Sequence, residues 1–339
     1  MNILITSAGT RNKIIQYFRE NLKGLGRVIA TDSSELAPAL YEADRYYLVP
    51  KIDNIEYTDK LLEICKKEKI DAIFSLIDPE LSLIAKNKEK FLELGVTPLI
   101  SDYNVVELAF NKYEMYSYLK NNNFKTAKTY INKEDFYRDL DVRKIAFPAF
   151  VKPIKGSASI NISKVTTKKE IDLLFSLYNN LIVQEFLDGQ EIGADVYIDP
   201  ISKKVVSIFT KEKLKMRAGE TDKARSFKDE KLFELIKDLV EKIGFEYMID
   251  IDIFRIKGEY YISEINPRFG GGYPHAYESG INFPKLIMNS INGKKNKQEI
   301  GNYKEDIYMM KYNEVKIIKN SKEWYIWRKF YLWQQLQAI

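Results

Sequence analysis

Residues 248–274 read MIDIDIFRIKGEYYISEINPRFGGGYP. Two strand-like runs, Met248–Ile256 and Glu259–Ile265, flank a Lys-Gly pair, the pattern of an antiparallel hairpin. Asp250 and Asp252 recur at the period of a strand, and so do Glu264, Asn266 and Arg268, so each set shares a face. The expected connection is a three-residue loop, Ile256-Lys257-Gly258, with glycine at its left-handed position. That loop would set Asp250 opposite Glu264 and Asp252 diagonal to it, whereas a two-residue loop would put the two sets on opposite faces. Carboxylates gathered on one face repel unless a cation lies between them. Hard oxygen donors without histidine or cysteine suit Mg²⁺ or Mn²⁺ better than zinc. Magnesium is commonly completed by substrate phosphates, so the hairpin predicts a phosphate-bearing ligand that Arg268 could contact. Spacing alone leaves the choice between Asp250 and Asp252 open.

Upstream of the hairpin, Leu181–Phe186, Glu191–Ile198 and Val205–Thr210 have strand character, and Lys231–Ile243 has that of a helix. Phe147–Lys152 reads as a strand ending in a lysine. After it come Gly156, Ser157, Ala158 and Ser159, a small-residue loop able to turn backbone N–H groups toward phosphate oxygens. Lys112 opens a helix reaching to Asn121.

The first hundred residues differ in style. Short apolar strands at Ile3–Thr6, Val28–Ala30, Ala72–Leu76 and Thr97–Ile100 alternate with helical segments, which implies a doubly wound parallel sheet. Ligands of such sheets sit beyond the carboxyl ends of the strands, where Ser7, Gly9, Asp32, Asp78 and Glu80 fall. The turn SAGTRN lacks the spaced glycines that a dinucleotide pyrophosphate requires, which argues against a nicotinamide-dependent oxidoreductase.

Composition sets outer limits. The chain has 339 residues and a formal charge of +5, with no clustering of the kind a nucleic-acid-binding arm shows. Its single cysteine, Cys65, excludes an intramolecular disulfide framework and is expected in the core of a helix. No secretory leader and no run long enough to span a bilayer are evident, so a cytoplasmic protein is expected.

The segments ATDSSELAPALYEADRYYLVP, FPAFVKPIKGSASI, VQEFLDGQEIGADVY, KMRAGET and ISEINPRFGGGYPHAYESGINFP, in that order, resemble the ATP-grasp superfamily, and within it the carbamoyl-phosphate-synthase-like carboxylate–amine ligases. The likeness runs from Met1 to about Lys311. It implies an α/β and α+β chain in which a parallel N-terminal sheet precedes a two-subdomain ATP-grasp fold. The expected divisions are 1–104 for the Rossmann-like domain, 105–184 for linker helices and lid, 185–312 for the central subdomain, and 313–339 for an aromatic tail. By position, Lys112 and Lys152 resemble the lysines that contact ATP phosphates, and Gly156, Ser157, Ala158 and Ser159 the lid loop. Glu185, Phe186 and Leu187 resemble the adenine hinge, and Glu191 the acid on the ribose. Asp252, Glu264 and Asn266 resemble the magnesium ligands, and Arg268 the arginine that stabilises the moving phosphoryl group. ATP and Mg²⁺ (or Mn²⁺) are the implied cofactors.

The implied reaction phosphorylates a small-molecule carboxylate and joins it to an amine. Arg217, Glu220 and His275 are candidate substrate contacts. A catalytically inactive ATP-binding sensor or scaffold would not need every metal and phosphoryl contact intact. No nucleic acid or membrane partner is expected, and a homodimer is admitted because related enzymes are often dimers. The tail after Asn320, SKEWYIWRKFYLWQQLQAI, reads as an amphipathic helix packing on the body or on a second subunit.

Overall fold

The computed structural model describes residues 1–156 and 162–318. Strands β1 (Asn2–Thr6), β2 (Arg27–Asp32), β3 (Arg45–Leu48), β4 (Ala72–Ser75) and β5 (Thr97–Pro98) form a parallel sheet in the order β3-β2-β1-β4-β5. Alternate residues divide its two faces. Leu4, Ile29 and Ile73 pack with Leu61, Ile64, Cys65 and Ile84, while Ile3, Ile5, Val28 and Phe74 pack with Ile15 and Phe18. Cys65 is accordingly buried, and burial pushes its thiol up to about 12. The edge strand β3 has no apolar alternation, which is why the sequence pattern does not show it.

A second, antiparallel sheet comprises β6 (Thr129–Tyr130), β7 (Ala149–Pro153), β8 (Ser163–Val165) and β9 (Leu181–Glu185), ordered β6-β9-β7-β8. Its core joins Val151, Val165 and Val183 to Phe136 and Ile171 of helices Lys133–Asp141 and Lys168–Leu177. The third sheet holds β10 (Gln190–Asp199), β11 (Lys204–Arg217), β12 (Glu220–Phe227), β13 (Tyr247–Ile256), β14 (Glu259–Asn266) and β15 (Tyr308–Met310), ordered β14-β13-β10-β11-β12-β15. Helix Glu230–Ile243 buries Leu232, Phe233, Ile236, Leu239 and Val240, and it stops at Gly244 in the left-handed conformation.

The hairpin connection departs from the sequence expectation. Ile256 pairs with Glu259, so the loop is the two-residue Lys257-Gly258, with φ of 51° and 81°. Both values suit a type I′ turn. A regular ladder from that turn would carry Asp252 and Glu264 on opposite faces. The register shifts by one residue between Asp252 and Ile253, because Ser263 is an extra residue on β14. This bulge restores the shared face. Asp252 therefore stands opposite Glu264, and Asp250 opposite Asn266, where the three-residue loop would have paired Asp250 with Glu264.

Directly after β14, Phe269 enters the core between the third sheet and the N-terminal sheet. Its ring lies 5.9 Å from that of Phe18 and 5.5 Å from that of Phe74. Phe74 of β4 and Phe18 of the helix after β1 (Asn12–Leu22) thus flank the residue next to Arg268.

Candidate active site

One cleft of about 340 Å³ opens where the three sheets meet. The parallel sheet contributes Arg11 from the turn after β1 and Asp78 from the turn after β4. These two strands are adjacent, and the connections from them run to opposite sides of the sheet, which is the switch point where ligands of such folds gather.

The hairpin forms one wall. Asp252 and Glu264 are partly exposed to the cleft, whereas Asn266 is buried. Each carboxylate is held by a lysine, with Lys213 Nζ 2.5 Å from Asp252 and 2.8 Å from Glu191, and Lys112 Nζ 3.3 Å from Glu264. Lys112 also donates to the Gly156 carbonyl. Lys213 reaches Asp252 from β11 across the intervening strand β10. It can do so because β10 has glycine there: a Cβ on Gly193 would lie 2.9 Å from Lys211 Cε and 3.2 Å from Lys213 Cε. Lys211 uses the same gap to reach Asp195 at 2.5 Å, both groups being buried.

Burial draws Lys152 down to about 8, with Glu264 opposing the shift and Lys112 adding to it. A phosphate oxygen beside it would push it back up. Burial, then Asp252 and Asp195, push Asp250 up to about 7, against Lys211 and Lys213. Burial works against the charge of Arg268, but Asp78, Asp250 and Glu264 outweigh it and hold the guanidinium above its usual value. Two of its nitrogens, Nε and Nη2, meet Asp78 Oδ2 at 3.0 and 2.9 Å, and Nη1 donates to the Phe269 carbonyl at 3.1 Å.

Part of the lining is apolar. Phe150, Leu187, Met216 and, from the hairpin itself, Phe254 contribute to it, together with the polar Glu185 and Gln184. Gln184 donates to Thr129 Oγ1 at 2.9 Å and Glu185 accepts the Lys128 backbone N–H at 3.0 Å. Phe186 does not line the cleft; its ring lies 5.6 Å from that of Phe150 at an angle of 47°, with the Lys164 ammonium 4.2 Å from its centre.

The cleft thus brings together Lys152, Glu185, Leu187, Glu191, Glu220, Asp250, Asp252, Glu264, Asn266 and Arg268, with Lys112 and Gly156 in an adjoining recess beside Glu264 and Asn266. Ser157, Ala158, Ser159 and the tail from residue 319 lie outside the described residues. Arg217 is not on the cleft wall; its guanidinium pairs with Asp222 at 2.9 Å. Nor is His275, which is buried with Nε2 donating to the Ile307 carbonyl at 2.9 Å and its ring against Phe209. Among the parallel-sheet candidates only Asp78 lines the cleft. Glu80 is taken up by Ser7, Ser75 and Tyr57, and Asp32 accepts the Gly9 backbone N–H. Arg11, Gln184, Lys213, Phe150 and Phe254 carried no sequence signal, since each looks like an ordinary turn or strand residue.

His275 yields a prediction about stability. Burial draws its imidazole down to about 4, Lys211 adds to the shift, and the Ile307 hydrogen bond opposes it. The unfolded chain takes up that proton near pH 6.5, but the folded one does not until about pH 4. Stability is therefore lost as pH falls through this window, by at most about 3 kcal/mol from this group. The substitution His275→Gln keeps a donor for Ile307 and should flatten that part of the slope in urea unfolding at pH 7 and pH 5. Equal slopes in parent and variant would refute the assignment.

The fold has a known counterpart: residues 109–272, just under half of the chain, match the ATP-grasp domain model. More narrowly, residues 3–99 match the PylC-like N-terminal domain, which places the parallel sheet as well. A D-alanine–D-alanine ligase of Flavobacterium johnsoniae is 33% identical over 137 residues, covering 39% of this chain and 42% of that protein. The chain thus matches less than half the length of that relative. Among solved structures, the biotin carboxylase domain of Hydrogenobacter thermophilus 2-oxoglutarate carboxylase superposes with a TM-score of 0.72 at 15% identity, covering 91% of this chain and 73% of that one. An L-amino acid ligase from Bacillus licheniformis gives 0.65 at 20% identity, covering 87% and 75%. At these identities the likeness is one of fold. No helix among the described residues is long and apolar enough to cross a membrane.

Proposed function

We propose that the protein is an ATP- and magnesium-dependent ligase that activates a substrate carboxylate as an acyl phosphate and joins it to an amine. The observation that carries this reading is the pairing of Asp252 with Glu264 across the bulged hairpin, with Asn266 on the same face and Lys152 and Arg268 in the same cleft. The relatives named above as ligases support it.

The donor set fits a hard dication. Two carboxylates and a carboxamide offer oxygen without nitrogen or sulfur ligands, which suits magnesium completed by phosphate oxygens and water. Among the described residues no three His, Cys, Asp or Glu side chains cluster as a metal site, since the third donor here is an amide. Bound magnesium would neutralise charge on the phosphoryl group being transferred. Of the two aspartates, Asp252 is the ligand in this reading, because it faces Glu264 while Asp250 holds its proton near neutrality.

The chain's own groups do the rest by position and charge. Lys152 and Lys112 hold the phosphates. The backbone at Glu185, Phe186 and Leu187 reads the base against Phe150 and Phe254, and Glu191 holds the ribose. Arg268, fixed by Asp78, meets the charge that builds on the phosphoryl group. A carboxylate oxygen forms its bond to the γ-phosphorus as the bond to ADP breaks. The amine nitrogen then attacks the acyl carbon, inorganic phosphate leaves, and the amine proton passes to solvent.

The test is ADP and phosphate release from Mg²⁺-ATP over a panel of small carboxylic acids, each with and without amines. Release that needs one acid, with an amide formed only when an amine is present, is the expected result. Silence across the panel would overturn the reading.

Lys213 adds a separate expectation. Its ammonium pairs with Asp252 and so competes with a dication for that carboxylate. Lys213→Met should bind Mn²⁺ in the absence of nucleotide about tenfold more tightly than the parent, a change of about 1.4 kcal/mol, read by electron paramagnetic resonance. Equal affinities would show that the lysine does not guard the site.

A further inference from the structure

The proposed reaction leaves the carboxylate substrate unnamed, and one end of the cleft holds a pair of charges that the nucleotide does not need. Arg11 arrives from the turn after β1, and Glu220 from the first residue of β12. They meet at 2.9 Å, with side chains 23% and 43% exposed. Both line the cleft. Glu220 is held from its other side by Lys311, 2.8 Å away, just beyond β15. Three separate parts of the chain thus converge to position one carboxylate and one guanidinium of opposite sign.

The glycine run after Arg268 makes room for the pair. A Cβ on Gly271 would overlap Arg11 Nη1 and come within 3.1 Å of Glu220 Oε1. A side chain there would displace Arg11, so the backbone approaches as closely as the ion pair allows. Arg11 also feels the charges of Arg268, Asp250 and Asp78, which sets it toward the phosphoryl-transfer end. Glu220 meets Arg11 through Oε1 and Lys311 through Oε2, and Arg268 acts on it as well.

A site for a plain carboxylate needs cations and gains nothing from Glu220. A partly exposed pair of opposite charges is instead complementary to a molecule carrying both charges a few ångströms apart, which can insert and exchange one ion pair for two. We propose that the carboxyl donor is an amino acid bound as a zwitterion, its carboxylate on Arg11 beside Arg268 and its ammonium on Glu220. Arg11 and Glu220 are then specificity-determining residues, and Lys311 a positioning residue for Glu220. This rests on the ligase reading above.

The test measures ADP release from Mg²⁺-ATP with L- and D-amino acids, each against the acid of the same skeleton lacking the amino group. At least one amino acid should raise release tenfold or more above the background without acid, and its counterpart without the amino group should not. Glu220→Gln should raise KM for that amino acid about 30-fold and Arg11→Met about 100-fold, while KM for ATP stays within about threefold. Equal release with the acid lacking the amino group, or an unchanged amino-acid KM in Glu220→Gln, overturns the zwitterion site and leaves the ligase reading standing. Absence of release with every acid of either kind overturns the ligase reading and this site with it.

Discussion

Glu264→Ala is expected to lower magnesium-dependent ADP release about 10³-fold while moving Tm by no more than about 4 °C. The size follows from how much one carboxylate does. It faces Asp252 across the bulge, and it is the largest favourable charge acting on the buried Lys152. Its removal takes away a proposed metal ligand and draws the Lys152 ammonium further toward neutrality. The small stability cost follows from its exposure, since Glu264 is 30% exposed and its ion pair with Lys112 is 3.3 Å long. Thermal unfolding and single-turnover ADP release, measured on the same preparation, check both halves. Loss of activity that tracks loss of folded protein would remove Glu264 from the chemistry.

Arg268 poses the opposite combination. Its guanidinium and the Asp78 carboxylate are both nearly enclosed, so Arg268→Met leaves Asp78 without its cation inside the protein. Removing one partner of a buried pair costs about 3–5 kcal/mol. Losing a cation aimed at developing charge costs a further 10²- to 10³-fold in kcat, by the magnitudes found for single electrostatic contacts. The double variant Arg268→Met with Asp78→Asn separates the two effects. It should regain most of the stability and none of the activity. Activity returning along with stability would mean that Arg268 only supports the fold.

The parts of this architecture that were legible in the sequence are those in which chemistry and period coincide. Asp250, Asp252, Glu264 and Asn266 alternate with isoleucines, so the strand period exposes them as a set. The parallel sheet showed itself through short buried runs such as Ile3–Thr6 and Ala72–Ser75. β12 did not, because its buried positions include Thr221, Asp222 and Ser226; Ser226 donates to the distant Lys304 carbonyl, and Asp222 pairs with Arg217 of the neighbouring strand. Lys213 was hidden for a similar reason. A lysine on a strand resembles a solvated charge until a glycine on the neighbouring strand, Gly193, lets it lie across to Asp252. Arg11 acquires its place only when the first turn of the parallel sheet is brought against Glu220. The hairpin register failed at one residue, since nothing in the composition of Ser263 marks it as a bulge.

That bulge also limits how the hairpin can be altered. The two-residue turn and the extra Ser263 compensate each other, so the shared face of Asp252 and Glu264 is a property of their sum. A designer who transplants the carboxylates to another scaffold must carry both devices or neither. Drawing Ile256 into a three-residue turn while keeping the Ser263 bulge would build a sound hairpin with its acids on opposite sides. Changes of pairing register and of the bulge between Asp252 and Glu264 therefore act in compensating pairs, a constraint that an inventory of functional side chains would miss.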